Sequence, residues 1–296
     1  MPRDRQVEPE QLAERVWPGQ QVAIEPLGGG ITNRNFKVEA DGGTFVLRIG
    51  GKDTELLGID RDVEHGASLV AAEAGIGPEV IAFLGAGWLV TRFIDGRPVP
   101  PEEMRGERLA EAAATVRRIH DGAPVPGRFD AFRVVEAYRD TAAAHGVAIP
   151  AAYADAKATA DAIERARGDQ PGTPCHNDLL NANFIDDGER LRIVDWEYAG
   201  MGDRFFDLAN FSVNHELSQA DEASFLAAYA GKTSAEDVRA LRLMRFMSDF
   251  REAMWGVVQQ GISELDFDFA DYAMRHFERL ERTAADPGFQ EALTSA

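Results

Sequence analysis

Apolar residues in the first third of the chain recur in short runs broken by glycine. Residues 22–27 ("VAIEPL"), 35–40 ("NFKVEA") and 44–50 ("TFVLRIG") read as three neighbouring antiparallel strands, separated by Gly-rich or Asp-Gly-Gly turns. The period then changes. In "DRDVEHGASLVAAEA" (60–74), Val63, Ala67 and Val70 fall near helical spacing, and Gly75 is a C-terminal stop. "EVIAF" and "GWLVTRF" supply two more strands before Asp95-Gly96. Beyond Arg97 the pattern is helical over 107–120, 132–145, 151–166, 219–230, 235–261 and 268–283. One island interrupts it: residues 174–197 predict a polar loop and a hairpin whose second strand draws on Leu191, Ile193 and Val194. The expectation is an α+β chain with a β-rich N-lobe carrying one main helix (1–96) and a helical C-lobe (97–296).

Composition narrows the class. The hydrophobic fraction, 45% of 296 residues, is ordinary for a globular protein. No run approaches the roughly 18 apolar residues of a membrane helix, so no membrane insertion is expected. The net charge of −19 repels nucleic-acid phosphate, and no nucleic-acid partner is expected. Cys175, the single cysteine, excludes an intrachain disulfide and a paired-thiolate zinc site. With no apolar leader in "MPRDRQVEPEQLAERV", a cytoplasmic location is the expectation.

Two glycine patterns mislead. "GGGITN" (28–33) nearly matches a dinucleotide fingerprint, but a strand follows it, so the pyrophosphate would lack a helix N-terminus. "GKT" (231–233) resembles the end of a phosphate-binding P-loop, yet Leu226 stands where its first glycine belongs, and a helix stop fits better. A glycine-rich turn between strands can also close over phosphates with its backbone N–H groups, or be a plain hairpin.

The island carries more chemistry. His176-x-Asp178-x4-Asn183, with Asp195 following on "LRIVDW", gives a base candidate, an amide ligand and an acidic ligand in that order. Phosphoryl transfer needs an aligned hydroxyl and magnesium on the phosphate oxygens. Asp178 would orient the hydroxyl and take its proton, while Asn183 and Asp195 offer Mg2+ the hard oxygen donors it prefers. Asn and Asp also cap turns, which is the plain alternative.

On these residues the chain resembles the aminoglycoside phosphotransferase superfamily, protein-kinase-like folds that phosphorylate small molecules. "HNDLLNANF" resembles its catalytic loop and "VDWEYAGMGDRFFDLAN" its metal-binding segment. "GGGITNRNFKV", "LRIGG" and "FREAMWGVVQQGISELDFDFADYAMRHFER" resemble the choline and ethanolamine kinase branch, and the likeness runs over residues 27–282. The resemblance implies ATP and Mg2+ as cofactors and a phosphate loop including Gly29, Gly30, Thr32 and Asn33. Asp207 would brace the catalytic loop, and His176 would support its backbone. Arg48, where protein kinases carry lysine, would pair with Glu64 and hold phosphate bidentately; a surface ion pair is the alternative. Adenine would meet backbone near Phe93 and Ile94.

The acceptor implied is a small cationic alcohol. Glu197, two residues after Asp195, would project to the same side of an extended segment and face the cation. Trp255, Phe267 and Tyr272 match the branch's aromatic positions, and each face adds on the order of 0.5 to 2 kcal/mol toward an ammonium. They would serve equally as core aromatics. Val258 stands where a second tryptophan is expected and "AGMGD" lacks a tyrosine, which separates the chain from eukaryotic choline kinases. Aminoglycoside, thiamine or sugar acceptors use the same loop, and a nucleotide-binding pseudokinase is disfavoured by the presence of Asp178, Asn183 and Asp195. Oligomeric state is left open.

Overall fold

The computed structural model describes residues 8–28, 33–85 and 87–294; Gly29, Gly30 and Thr32 lie outside them. Helix α1 (Pro9–Val16) leads into β1 (Ala23–Leu27), β2 (Asn33–Ala40) and β3 (Gly43–Gly50). After a 3-10 turn (Thr54–Leu57) come α2 (Arg61–Glu73), β4 (Val80–Phe83) and β5 (Trp88–Arg92). The five strands form an antiparallel sheet in the order β1-β2-β3-β5-β4.

Strand alternation decides which side chains face which way. On β3, Phe45, Leu47 and Ile49 join Phe36 and Val38 in a core covered by Leu12, Ala13 and Trp17. Val46 and Arg48 point to the opposite face. Arg48 lies between Asn35 on β2 and Leu89 on β5 in register, so these three form one row on the cleft side.

Beyond the sheet, β6 (Arg97–Pro98), α3 (Pro101–Arg105), α4 (Leu109–His120), α5 (Ala131–Ala144) and α6 (Ala152–Arg167) precede the island. The island contains β7 (Thr173–Cys175), a 3-10 turn (Asn181–Asn183), β8 (Phe184–Asp186), β9 (Leu191–Ile193) and β10 (Gly200–Gly202). Then follow α7 (Arg204–Asn214), α8 (Gln219–Ala230), α9 (Ala235–Ile262), α10 (Phe269–Ala285) and α11 (Pro287–Thr294). The expected hairpin is β8–β9, joined by β6 in one small sheet, while β7 pairs with β10. Val194 falls outside the strand.

The longest helix, α9, opens on a capping box in which Ser234 and Asp237 exchange hydrogen bonds. It packs against α5, α7 and α10. The larger core surrounds it and also takes in Leu57, Ile59, Ala67, Ala71 and Ile76 from the α2 region. Helix α2 thus contributes Ala67 and Ala71 to the larger core, while His65 on the same helix stacks on Phe83 of β4. Gly231 ends α8 at φ +75°, the helix-stop role expected of "GKT". Among the described residues no helix is long and apolar enough to cross a membrane.

Candidate active site

The loop after β7 is held by Asp207 in the first turn of α7. Its Oδ2 accepts the His176 N–H at 2.7 Å and its Oδ1 accepts the Asn177 N–H at 2.5 Å. Asn177 takes φ +65°, a conformation asparagine tolerates better than most residues. Asn210, one turn along α7, accepts the Leu179 N–H at 2.6 Å. His176 works from inside the loop: its Nδ1 accepts the Asp178 N–H at 3.2 Å and its Nε2 donates to the Val194 carbonyl at 3.1 Å. Burial holds its pKa below the usual histidine value, so the ring stays neutral. At the end of α4 the buried His120 ring bridges Asp207 (3.1 Å) and the Tyr229 hydroxyl (2.8 Å).

That bracing presents Asp178. Asn183 Nδ2 donates to the Asp178 carbonyl at 2.9 Å and approaches Asp178 Oδ2 at 3.4 Å. Arg251 Nη1, from α9, donates to Asp178 Oδ1 at 3.2 Å. Burial pushes the Asp178 pKa up to about 7, against the pull of Arg251. The second acid, Asp195, lies just past β9 at φ +66°. The segment is therefore bent there and not extended, a correction to the sequence reading. Even so, carboxylate oxygens of Glu64, Asp195 and Glu197 lie within 4.8 Å of one another. Burial, then the Glu197 charge, push Asp195 up to about 6.

Two arginines hold these acids together. Arg48 from β3 pairs with Glu64 of α2 and donates to Asp195 Oδ1 at 2.9 Å. Arg61, at the start of α2, bonds Glu64 Oε2 (2.7 Å), Glu197 Oε2 (3.1 Å) and Asn33 Oδ1 (3.0 Å). Asn33 Nδ2 in turn donates to Glu197 Oε2 at 2.9 Å. Glu197 thus meets the start of β2 and of α2.

A cavity of about 430 Å³ opens between the sheet and the island. Leu27, Val46, Leu89, Phe93, Ile94, Ile185 and Val194 wall it, while Arg48, Asn183 and Asp195 lie at its polar end. Flat apolar walls with a few convergent polar groups are the usual form of a small-molecule site. The Phe93 N–H is already given to the Thr44 carbonyl at 3.0 Å.

Helices α9 and α10 bring Trp255 and Tyr272 together, ring centroids 5.5 Å apart at 69°. Phe267 stacks at an angle on Phe269, 6.0 Å from Tyr272, and is 43% exposed. The Tyr272 hydroxyl donates to Glu252 Oε2 at 2.7 Å, and Arg251 Nη1 donates to Glu252 Oε1 at 2.5 Å. Sequence reasoning passed over Arg61, Arg251 and Glu252. The only sequence signal for the last two is an adjacent charge pair inside a helix whose neighbours from Phe246 to Gln259 are all buried.

A model of the phosphotransferase enzyme family (APH) matches residues 23–246. The chain is 32% identical to a choline/ethanolamine kinase family protein from Mesorhizobium loti, covering 96% of this chain and 97% of that one with a TM-score of 0.81. It is 27% identical to ethanolamine kinase 2 of Mus musculus, over 89% of this chain and 76% of that protein. It is also 26% identical to the LicA protein of Haemophilus influenzae, over 84% and 76% respectively. A cavity between an antiparallel sheet and the catalytic-loop island thus accompanies likeness along nearly the whole chain, which belongs to the phosphotransferase enzyme family and, within it, to the choline/ethanolamine kinase family, as a small-molecule kinase.

Proposed function

We propose that the protein transfers the terminal phosphoryl group of ATP to the hydroxyl of a small cationic amino alcohol. The observation that carries this reading is the position of Asp178. It is bonded on one side to Asn183, which lines the proposed nucleotide cavity beside Asp195, and on the other, through Arg251 and Glu252, to Tyr272 of the Trp255–Tyr272 pair.

The apolar walls of the 430 Å³ cavity suit a planar base. With the Phe93 amide committed to Thr44, the Ile94 backbone is the proposed partner for adenine. Gly29, Gly30 and Thr32, outside the described residues, are proposed to contact the phosphates. Arg48 is pre-positioned by Glu64 and Asp195, and its planar fork suits two phosphate oxygens.

The donor set fits Mg2+. Clustered carboxylate oxygens and the Asn183 amide are hard ligands, and a divalent cation would relieve the repulsion between Asp195 and Glu197, whose carboxylate oxygens lie within 4.8 Å of each other. Asp195 and Asn183 would hold the ion, with Glu197 beside them. When bound, the ion supplies charge neutralisation at the phosphate oxygens.

Asp178 does the protein's share of the chemistry. One carboxylate oxygen is fixed by Arg251, and the other aligns the acceptor hydroxyl for in-line attack on the terminal phosphorus. As the new O–P bond forms and the bond to the ADP oxygen breaks, the hydroxyl proton passes to Asp178.

The test is an ADP-release screen with Mg-ATP across choline, ethanolamine, their partly methylated intermediates, thiamine and aminoglycosides. An amino alcohol is the expected acceptor; turnover of thiamine or an aminoglycoside alone would replace it. Asp178→Asn is expected to retain nucleotide binding and lower kcat by about 10²- to 10⁴-fold. Near-normal turnover in that variant would remove Asp178 from the role.

A further inference from the structure

We propose that Glu252 reads the acceptor's ammonium group through its N–H bonds, so that the pocket selects ethanolamine-type amino alcohols over quaternary ones. This inference rests on the amino-alcohol reading above and deepens it.

Glu252 precedes Trp255 by three residues on α9, so both occupy one face of the helix. Its carboxylate is buried beside the aromatic group, with Oε2 2.7 Å from the Tyr272 hydroxyl. Oε1 is 2.5 Å from Arg251 Nη1, and the same nitrogen reaches Asp178 Oδ1 at 3.2 Å. The relay runs from the aromatic wall to the catalytic aspartate without leaving the interior. It contains two carboxylates and one guanidinium, a net charge that one monocation balances.

The chemistry of the two ammonium classes differs at such a wall. A quaternary nitrogen donates no hydrogen bond and is held by aromatic faces and diffuse charge alone. A primary or secondary ammonium also needs acceptors for its N–H groups once it leaves water. An ionised carboxylate has about four lone-pair sites, and the two contacts of Glu252 leave acceptor capacity on both oxygens. The aromatic residues meanwhile pack edge-to-face on one another: Trp255 against Tyr272 at 69° and against Phe269 at 70°. The Tyr272 hydroxyl donates its hydrogen bond to Glu252, which fixes the phenol ring. Tyr272 is only half-buried and Phe267 is exposed, so this wall is reachable from solvent.

A site built to accept hydrogen bonds discriminates strongly against analogues that cannot donate them. The experiment measures initial rates with Mg-ATP and ethanolamine, N-methylethanolamine, N,N-dimethylethanolamine and choline. The enzymes compared are the full-length protein, Glu252→Gln, Glu252→Asp and Tyr272→Phe. For the unmodified protein kcat/KM is expected to fall along the methylation series, by about tenfold or more from ethanolamine to choline. In Glu252→Gln the ethanolamine-to-choline ratio should collapse by about tenfold, mainly through the ethanolamine KM. Glu252→Asp, which keeps the charge, should restore part of it. A preference of the unmodified protein for choline overturns the inference, as does an equal loss with all four acceptors in Glu252→Gln, which marks a structural residue. Should Glu252→Gln fail to fold, the methylation series and Tyr272→Phe, expected to weaken the gradient, decide the matter. Turnover of the series without a gradient sinks this inference alone; turnover of no amino alcohol, with another hydroxyl compound accepted, sinks the amino-alcohol reading and this inference with it.

Discussion

His215 shows how a single buried side chain ties stability to pH. It closes α7 with Nδ1 donating to the Phe211 carbonyl at 2.8 Å and its ring stacked 4.0 Å from that of Phe211. Its Nε2 is buried with no partner, so an added proton there would have no acceptor. Burial accordingly lowers its pKa from 6.5 to about 4. Between those values the unfolded chain binds a proton that the folded chain refuses, so stability falls as pH drops through this window, by at most about 3 kcal/mol. His176, also held neutral by burial, acts in the same direction. Asp178 and Asp195 oppose them: their raised pKa values favour proton uptake by the folded state as pH falls. The difference between parent and variant isolates His215. From pH 7 to pH 5 the urea midpoint should fall less, or rise more, in His215→Asn, whose amide can replace the Nδ1 donor, than in the parent. An unchanged pH slope would remove His215 as a contributor.

Helix α2 shows what close approach of elements demands. At Gly66 an added Cβ would meet Pro126 Cγ at 2.4 Å, and at Gly127, held at φ +76°, it would meet Val63 Cγ1 at 2.7 Å. Both partners have given up side chains so that α2 can lie against the loop before α5. For Gly66→Ala the intrinsic helical gain is about 1 kcal/mol, while overpacking costs about 1 to 3 kcal/mol. The overlap is with a ring that cannot rotate away, so the cost wins. Gly66→Ala is expected to lower the melting temperature and, by displacing Glu64 and Arg61, raise the KM for ATP. A rise in both stability and nucleotide affinity would show the helix free to shift. Elements with strong periodicity were legible in the sequence: α9 is expected over 235–261 and spans Ala235–Ile262. Helix α7 was not. From Phe205 to Val213 every residue is buried, including Asp207, Asn210 and Ser212, so no polar face marks the turn of the helix. Strands β7 and β10 have three residues each, too few for an alternation to register. At the site, spacing within the island brought Asp178, Asn183 and Asp195 to attention. The contact of Arg61 with Glu197, 136 residues away, depends on how the sheet is laid over the helices, which local pattern does not encode.

For the whole molecule, the partition of the two cores sets how it should open. The sheet and α1 share a small cluster around Phe45, Leu47 and Trp17. The far larger cluster joins the C-terminal helices and claims Ala67 and Ala71 of α2. Buried apolar area supplies most of the favourable folding energy, so the smaller core should open at lower free energy than the larger. Helix α2 lies on the boundary. It reaches the sheet through the Arg48–Glu64 pair and the His65–Phe83 stack, but its buried Ala67 and Ala71 belong to the larger core. Hydrogen exchange under native conditions should therefore find β1 to β3 opening first, with α2 amides protected alongside those of α4 and α9. Addition of a nucleotide should raise protection on β2 and β3 most, because its phosphates would tie Arg48 to the floor of the cleft. Exchange of α2 in step with β3 would show instead that its contacts with the sheet outweigh those with the larger core, and that sheet and helix open as one body over a fixed catalytic loop.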